Sequence, residues 1–199
     1  MMKLLLLRCP TCAEPLPAEN DDVVLTCPSC FSDVQLDERG VNATAVSFAQ
    51  PTYPDKLTHW LPFWVMQAKV NITKRDTQGG SKSVRKDSEA MWAEPRLLYT
   101  PAWDLPVPQA RQMGSDLVLL QPTLSALATR PSDALLTPAV FTTEDAQRFL
   151  TFVVLTIEAE RKDWLKDLQF QITPLKKAEL WALPAVQTGD HSYSLLIDG

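Results

Sequence analysis

The sequence predicts an α+β fold, in which a small cysteine-bearing module at the N-terminus packs against a mixed β-sheet with one long helix. Three observations carry this. All four cysteines fall within the first thirty residues, in two matched pairs. Apolar residues recur at every second position from Trp64 to Ile72, the mark of a half-buried strand. A stripe at helical spacing runs through Ala146, Phe149, Leu150, Val153 and Ile157.

The cysteines read Cys9-Pro-Thr-Cys12 and Cys27-Pro-Ser-Cys30, with fourteen residues between the pairs. Two residues between cysteines let both sulfurs turn toward one point in a tight loop. Two such loops supply four thiolates in the tetrahedron that a structural zinc takes. The proline after each first cysteine stiffens its loop and leaves the remaining loop N–H groups free to point at the sulfurs. Two disulfides are the alternative in an oxidising compartment, but Leu4 to Leu7 is too short for the core of an export signal. A redox CxxC calls for one pair beside a βαβ unit rather than two matched pairs. Four thiolates also suit iron in a rubredoxin-like site; the short spacing between the pairs favours zinc. With Cys9, Cys12, Cys27 and Cys30 all acting as ligands, no position stays open for water or substrate. The expected cofactor is one structural Zn2+.

Strand-like pieces flank these loops: Leu4 to Leu7, Val23-Val24-Leu25 and Val34-Gln35-Leu36. The CPxC…CPxC pair in this setting resembles a zinc ribbon, over about residues 1–46. Ala13 and Phe31 stand where many such ribbons carry a left-handed glycine. The whole chain is also similar to uncharacterised bacterial proteins in which a zinc ribbon precedes a β-rich domain, a similarity that implies no activity. Residues 47–199 are expected as the α+β domain, with the boundary near the rigid Gln50-Pro51-Thr52-Tyr53-Pro54. Ribbons often bind nucleic acid. Here residues 1–40 hold three basic residues (Lys3, Arg8, Arg39) against seven acidic ones, the wrong sign for following phosphates.

Beyond the Glu38-Arg39-Gly40 turn, Val41 to Phe48 is expected as a strand leaving the module. In the next strand Trp64, Met66, Ala68, Val70 and Ile72 share one face, and Phe63 and Val65 make its start apolar on the other. Arg96 to Trp103 is its partner candidate. Between them, about 73–95 reads as a mobile basic loop with its tip at Gly79-Gly80. From Lys69 to Lys86 six basic residues (Lys69, Lys74, Arg75, Lys82, Arg85, Lys86) meet one acid, Asp76, so the loop is either a solvated tip or a docking arm. Prolines recur from Asp104 to Ala139, which predicts only short helical pieces near Gln109–Met113 and Thr123–Thr129. Thr142-Thr143-Glu144-Asp145 starts a helix, with a cap residue and acids in the first turn. It is expected over about 144–167, with Phe152 and Leu155 widening the stripe and Trp164 and Leu168 extending it. Glu144 with Arg148 and Glu158 with Lys162 are its four-apart ion pairs. Strands at Leu168–Ile172, Leu180–Leu183 and Tyr193–Ile197 complete the chain.

Trp60-Leu61-Pro62-Phe63-Trp64 and Tyr99-Thr100-Pro101-Ala102-Trp103 repeat one aromatic-x-Pro-x-Trp pattern. Proline cannot donate to a sheet ladder and belongs at a strand end, an edge or a bulge. Pro62 and Pro101 are therefore expected at strand ends, with Trp64 and Trp103 as neighbours in a packed aromatic corner rather than an open groove.

The net charge of −5 and a pI near 5.0 argue against phosphate backbones and anionic membranes as partners. The longest apolar run, around Phe149 to Ile157, falls far short of the ~20 residues of a spanning helix. A cytoplasmic location is expected. Catalysis is not: the two histidines are His59 and His191, and no glycine-rich phosphate loop or nucleophile motif is present. The expected role is a non-catalytic zinc-binding protein that docks on another protein as an accessory or assembly subunit. The alternative is a nucleic-acid-binding accessory factor using the basic loop.

Overall fold

The computed structural model describes residues 7–79, 82–132, 134–190 and 192–198. Near the N-terminus β1 (Val24–Thr26), β2 (Asp33–Asp37) and β3 (Gly40–Ala43) form an antiparallel sheet in that order. Asp37 pairs with Gly40 across a two-residue turn, and Gly40 takes φ +114°, a value that glycine reaches without steric cost. The expected strand from Val41 to Phe48 is split: β3 stays with the module, while β4 (Ser47–Phe48) joins the large sheet. Leu4 to Leu6, Gly80 and His191 lie outside the described residues.

The large sheet is mixed, in the order β4-β8-β5-β6, with β4 parallel to β8 (Glu179–Gly189) and the other pairings antiparallel. Its spine is β5 (His59–Gln78), twenty residues long. On one side β5 pairs with β6 (Arg96–Pro101) from Phe63 to Ala68. On the other it pairs with β8 from His59 to Val65, then with β7 (Trp164–Pro174) from Ala68 to Gln78. Strands β7 and β8 thus follow one another along the same edge, and β9 (Ser192–Leu195) extends the sheet beside the far end of β8.

Among the described residues three α-helices accompany the sheets: α1 (Lys82–Ala93), α2 (Val107–Leu120) and α3 (Thr143–Ala159). The single long helix over about 144–167 is therefore corrected to three helices. Helix α3 starts where the cap signal placed it: Thr142 and Asp145 form a reciprocal capping box. It ends at Ala159 because Trp164 to Pro174 are needed as the antiparallel partner of β5. Tertiary pairing overrides the helical stripe there. The buried face also turns further round than expected, with Val154 and Glu158 inside while Phe152 and Leu155 are exposed. Helix α2 survives in the proline-rich stretch because its proline, Pro108, lies in the first turn, where a missing N–H breaks no bond. It approaches β6 closely at Gly114, where a Cβ would meet the Tyr99 carbonyl at 2.8 Å. Within about 73–95, expected as a loop, the described residues up to Gln78 continue β5 and Lys82–Ala93 form helix α1.

The prolines sit where the ladder has gaps. The Pro62 carbonyl accepts the Ala102 N–H, so its nitrogen faces the side where β6 has just ended at Pro101. The Pro184 carbonyl likewise accepts the Leu196 N–H just past the end of β9. Both tryptophans of the repeated pattern are buried, but they are not ring neighbours. Trp103 packs edge-on against Phe63, with centroids 5.2 Å apart. Adjacent strand residues point to opposite faces, so Trp64 lies on the other face of β5, where its indole N–H donates to the Phe141 carbonyl at 2.8 Å. Replacing Trp64, 8% exposed, by alanine should remove ~3–5 kcal/mol of stability. Thermal unfolding measures this; an unchanged midpoint would show that the ring carries no core packing.

Candidate metal centre

The two CPxC loops are built alike. Ala13 N–H donates to the Cys9 carbonyl and Phe31 N–H to the Cys27 carbonyl, each at 2.9 Å. Cys9 N–H donates to the Glu14 carbonyl and Cys27 N–H to the Ser32 carbonyl, again at 2.9 Å. Ala13 and Phe31 adopt φ 63° and 57°, so the left-handed step that glycine often supplies is made here by residues that resist it. The closed loop holds them there, and Arg8 braces the first by donating to the Ala13 carbonyl at 2.9 Å.

All four sulfurs lie within 4.8 Å of one another, those of Cys9 and Cys27 on buried residues and those of Cys12 and Cys30 on half-buried ones. Cys9 and Cys30 sulfurs are 3.6 Å apart and those of Cys12 and Cys27 3.7 Å. A disulfide needs ~2.05 Å, so the cysteines are free thiols. Metal–sulfur bonds of ~2.3 Å in a regular tetrahedron place sulfurs ~3.8 Å apart. The arrangement therefore fits a tetrahedral metal such as zinc. The protons tell the same story. Ser32, with its hydroxyl 3.3 Å away, draws the Cys30 thiol down to about 6. The Glu14 backbone also lowers Cys12, but burial and the neighbouring sulfurs outweigh it and push that thiol up to about 12. Four thiolates cannot crowd together without a cation; a bound metal replaces the retained protons.

The module has a small core of its own, Cys9, Leu16, Leu25, Cys27 and Val34. Val24, by contrast, points into the main core. The Val24 carbonyl accepts the Ala139 N–H at 2.7 Å, and the Ala139 carbonyl accepts the Val24 N–H at 3.1 Å. Beside this bridge Arg130 pairs with buried Asp33 and donates to Thr26 Oγ1 at 3.1 Å and to the Ala134 carbonyl at 2.9 Å. Thr26 Oγ1 donates to Asp33 at 2.7 Å and accepts the Leu136 N–H at 3.2 Å. The Arg130 guanidinium lies 4.5 Å from the Phe48 ring centroid. The metal-site strands and the large sheet are thus joined by a polar cluster in which, of the Arg130 donors, Nε is left buried without a hydrogen-bond partner.

A second polar cluster escaped sequence reading. Glu158 is fully buried in the last turn of α3. Its carboxylate accepts from Arg75 Nε at 2.7 Å, Ser88 Oγ at 2.9 Å, Trp92 Nε1 at 2.8 Å and Arg161 Nε at 2.8 Å. Arg75 also makes a two-point contact with Asp163, at 2.5 and 2.8 Å. Arg75 reaches inward because β5 bulges between Ile72 and Lys74, which shifts the alternation and turns it to the α3 side. The expected partner Lys162 is replaced by Arg161, and Arg148 pairs with Asp145 rather than Glu144. One signal was available: Glu158 stands four residues after buried Val154, a charge on an apolar face. Burial works to raise the Glu158 pKa, but the Trp92, Arg75, Ser88 and Arg161 donors outweigh it and hold the group below the usual range. Every strong acceptor position is used, and the cluster ties α1 to the body of the protein.

His59 is occupied by local contacts, 2.8 Å from Thr58 Oγ1 and edge-on to the Tyr193 ring at 5.2 Å. Among the described residues, no helix is long and apolar enough to cross a membrane. No family model, curated protein or solved structure matches the chain.

Two outcomes follow from this geometry. Cys27→Ser should abolish metal binding and loosen β1–β3, read by metal analysis and by amide exchange in those strands; retention of a full metal complement would show that the four sulfurs do not act as one site. Glu158→Gln should cost ~3–5 kcal/mol, because it leaves Arg161 and part of Arg75 buried without a counter-charge. With its folded pKa depressed, Glu158 stabilises the protein above its unfolded value of ~4.3 and the contribution is lost as pH falls through the folded value. The difference in stability between wild type and Glu158→Gln should therefore shrink on acidification. A difference independent of pH would mean that the charge is not what holds α1.

Proposed function

We propose that the chain is a non-catalytic zinc-binding protein whose N-terminal zinc ribbon, about residues 1–46, holds one structural Zn2+ through Cys9, Cys12, Cys27 and Cys30. We place it in the cytoplasm, where thiols stay reduced, as a docking, accessory or assembly subunit of a larger complex. The observation that carries the first part is the closed sulfur tetrahedron: four protein ligands within 4.8 Å of one another leave no position for a substrate. The metal then supplies folding energy to a module whose own core is small, two of its buried members, Cys9 and Cys27, being ligands themselves.

The docking role is supported by apolar side chains left at the surface. Trp164 is 74% exposed, and Phe152 and Leu155 on α3 are 49% and 41% exposed. Large apolar groups of this kind in contact with water mark interaction surfaces when they cluster. Against the nucleic-acid reading stands the use already made of the basic stretch. Lys74 pairs with Asp76 and Asp167, Arg75 with Glu158 and Asp163, and Arg85 with Glu89.

Affinity purification of the native protein, with mass spectrometry of co-purifying proteins, metal analysis and a nuclease-sensitive nucleic-acid assay, tests the whole reading. One zinc per chain and a reproducible stoichiometric protein partner are expected. Iron at full occupancy would overturn the zinc assignment, and recovery of nucleic acid in place of a protein partner would overturn the docking role.

A further inference from the structure

Strand β8 carries two short strands on the side away from β5, β4 near its start and β9 near its end. The outer side of β4 is closed: the Phe48 carbonyl accepts the Leu127 N–H and the Gln50 N–H donates to the Ser125 carbonyl, each at 2.8 Å. Strand β9 has no strand on its outer side among the described residues. Its backbone direction is fixed by its partner. The Ala185 carbonyl accepts the Thr58 N–H, and the Gln187 N–H donates to Thr58 Oγ1. Ala185 and Gln187 thus turn away from β9, and the residues opposite them, Leu195 and Tyr193, turn away from β8. The next residue, Leu196, donates its N–H back to the Pro184 carbonyl, as alternation requires. The N–H and C=O groups of Tyr193 and Leu195 therefore point outward. Neither residue is buried, and Ser192 and Ser194 beside them are exposed.

This edge borders a groove of about 460 Å³ whose opposite wall is α2. Ser192, Tyr193, Ser194 and Leu195 line it in succession, although neighbouring residues of a strand point to opposite faces. The groove thus runs along the edge of β9 rather than over one face. Met113, Leu117 and Leu120 of α2 supply apolar lining across from it, and Leu120 is 52% exposed. Tyr193 is held edge-on by His59 at 5.2 Å and by Trp103 at 6.2 Å, so this wall stands ready without rearrangement.

The charges around the groove are negative and uncompensated. Asp116 is the one charged residue in the described lining, and its partner is the neutral Gln112 amide at 2.9 Å. Asp190 and Asp198 stand just outside the β9 lining in the chain; both are exposed and neither has an ion pair among the described residues. From Pro101 to Ala128 Arg111 is the only lysine or arginine, and it is not part of the lining; from Ala178 to Gly199 there is none. Two copies of this chain pairing antiparallel through Tyr193 and Leu195 would set Asp190 against Asp198 at both ends, which disfavours a second copy. Phosphate backbones meet the same repulsion.

We propose that the groove between α2 and β9 takes an extended segment of a partner protein, with apolar and basic residues in alternation, which adds as a strand to the free edge of β9. Backbone pairing with Tyr193 and Leu195 holds the segment, its apolar side chains pack toward Met113, Leu117 and Leu120, and its lysines or arginines answer Asp116, Asp190 and Asp198. The proposal rests on the docking role above and gives it an address and a chemistry.

The isotope-labelled full chain, purified with its metal, is titrated with a decapeptide of alternating valine and lysine. Controls are a valine–glutamate decapeptide and a proline–lysine decapeptide that keeps the charge but lacks alternate N–H donors. The valine–lysine peptide should slow amide exchange at Tyr193 and Leu195, and Asp116→Lys should weaken it by about tenfold while leaving the unfolding midpoint unchanged. Both control peptides should bind far less. Equal binding of either control, or no change at Tyr193 and Leu195 up to millimolar peptide, would overturn the proposal. So would protection of these two amides that grows with protein concentration in the absence of peptide, which would assign the edge to a second copy. A native partner that still binds Asp116→Lys at full strength would refute this groove and leave the docking role standing, whereas the absence of any partner would refute the docking role itself.

Discussion

Strand β5 is the constraint on which the rest of the fold depends. A buried strand must find partners for its N–H and C=O groups on both sides, because an unpaired backbone group in the core costs as much as a lost hydrogen bond. From Trp60 to Met66 every residue of β5 is buried. That half is accordingly sandwiched between β8 and β6, with the proline nitrogens turned to the gaps. The outer half is progressively exposed and makes do with β7 on one side. The bulge near Thr73 marks the change of regime, since it ends the regular alternation and turns Arg75 into the interior.

The metal site is mechanically part of this sheet rather than an appendage. Its strand β1 sends Leu25 into the sulfur-lined core and Val24 into the main one. Alternation along a single strand thus makes one short element serve two cores. The Val24–Ala139 bridge and the Asp33–Arg130–Thr26 cluster then fix their relative position through polar contacts that are worth most when water is kept out. The sulfur cluster is in this way coupled, through β1, to the segment from Arg130 to Ala139 and to the sheet behind it.

Buried charge does for α1 what apolar packing does for α3. Helix α1 is mostly exposed and buries only Ser88 and Trp92. Both reach the same carboxylate, Glu158, which Arg75 and Arg161 neutralise. Such a cluster adds little net stability compared with a well-packed apolar core, but it is severe on misplacement, since shifting the helix by a turn leaves charges unpaired in the interior.

By itself the sequence determined whatever depends on near neighbours. The spacing of Cys9, Cys12, Cys27 and Cys30 specified the sulfur cluster, because each pair closes its loop locally. The alternation from Trp64 to Ile72 specified a strand, and Thr142 with Asp145 specified where α3 begins. Tertiary structure decided the rest. The end of α3, the fate of Trp164, the inward turn of Arg75 and the burial of Glu158 all follow from β7 pairing with β5, nearly a hundred residues earlier in the chain. Trp103 found Phe63 rather than Trp64 because the side of a sheet on which two distant rings meet is set by register. Periodicity reports which face of an element is apolar. It carries no information about which distant segment will cover that face, since the free energy of that choice comes from contacts the local pattern does not contain.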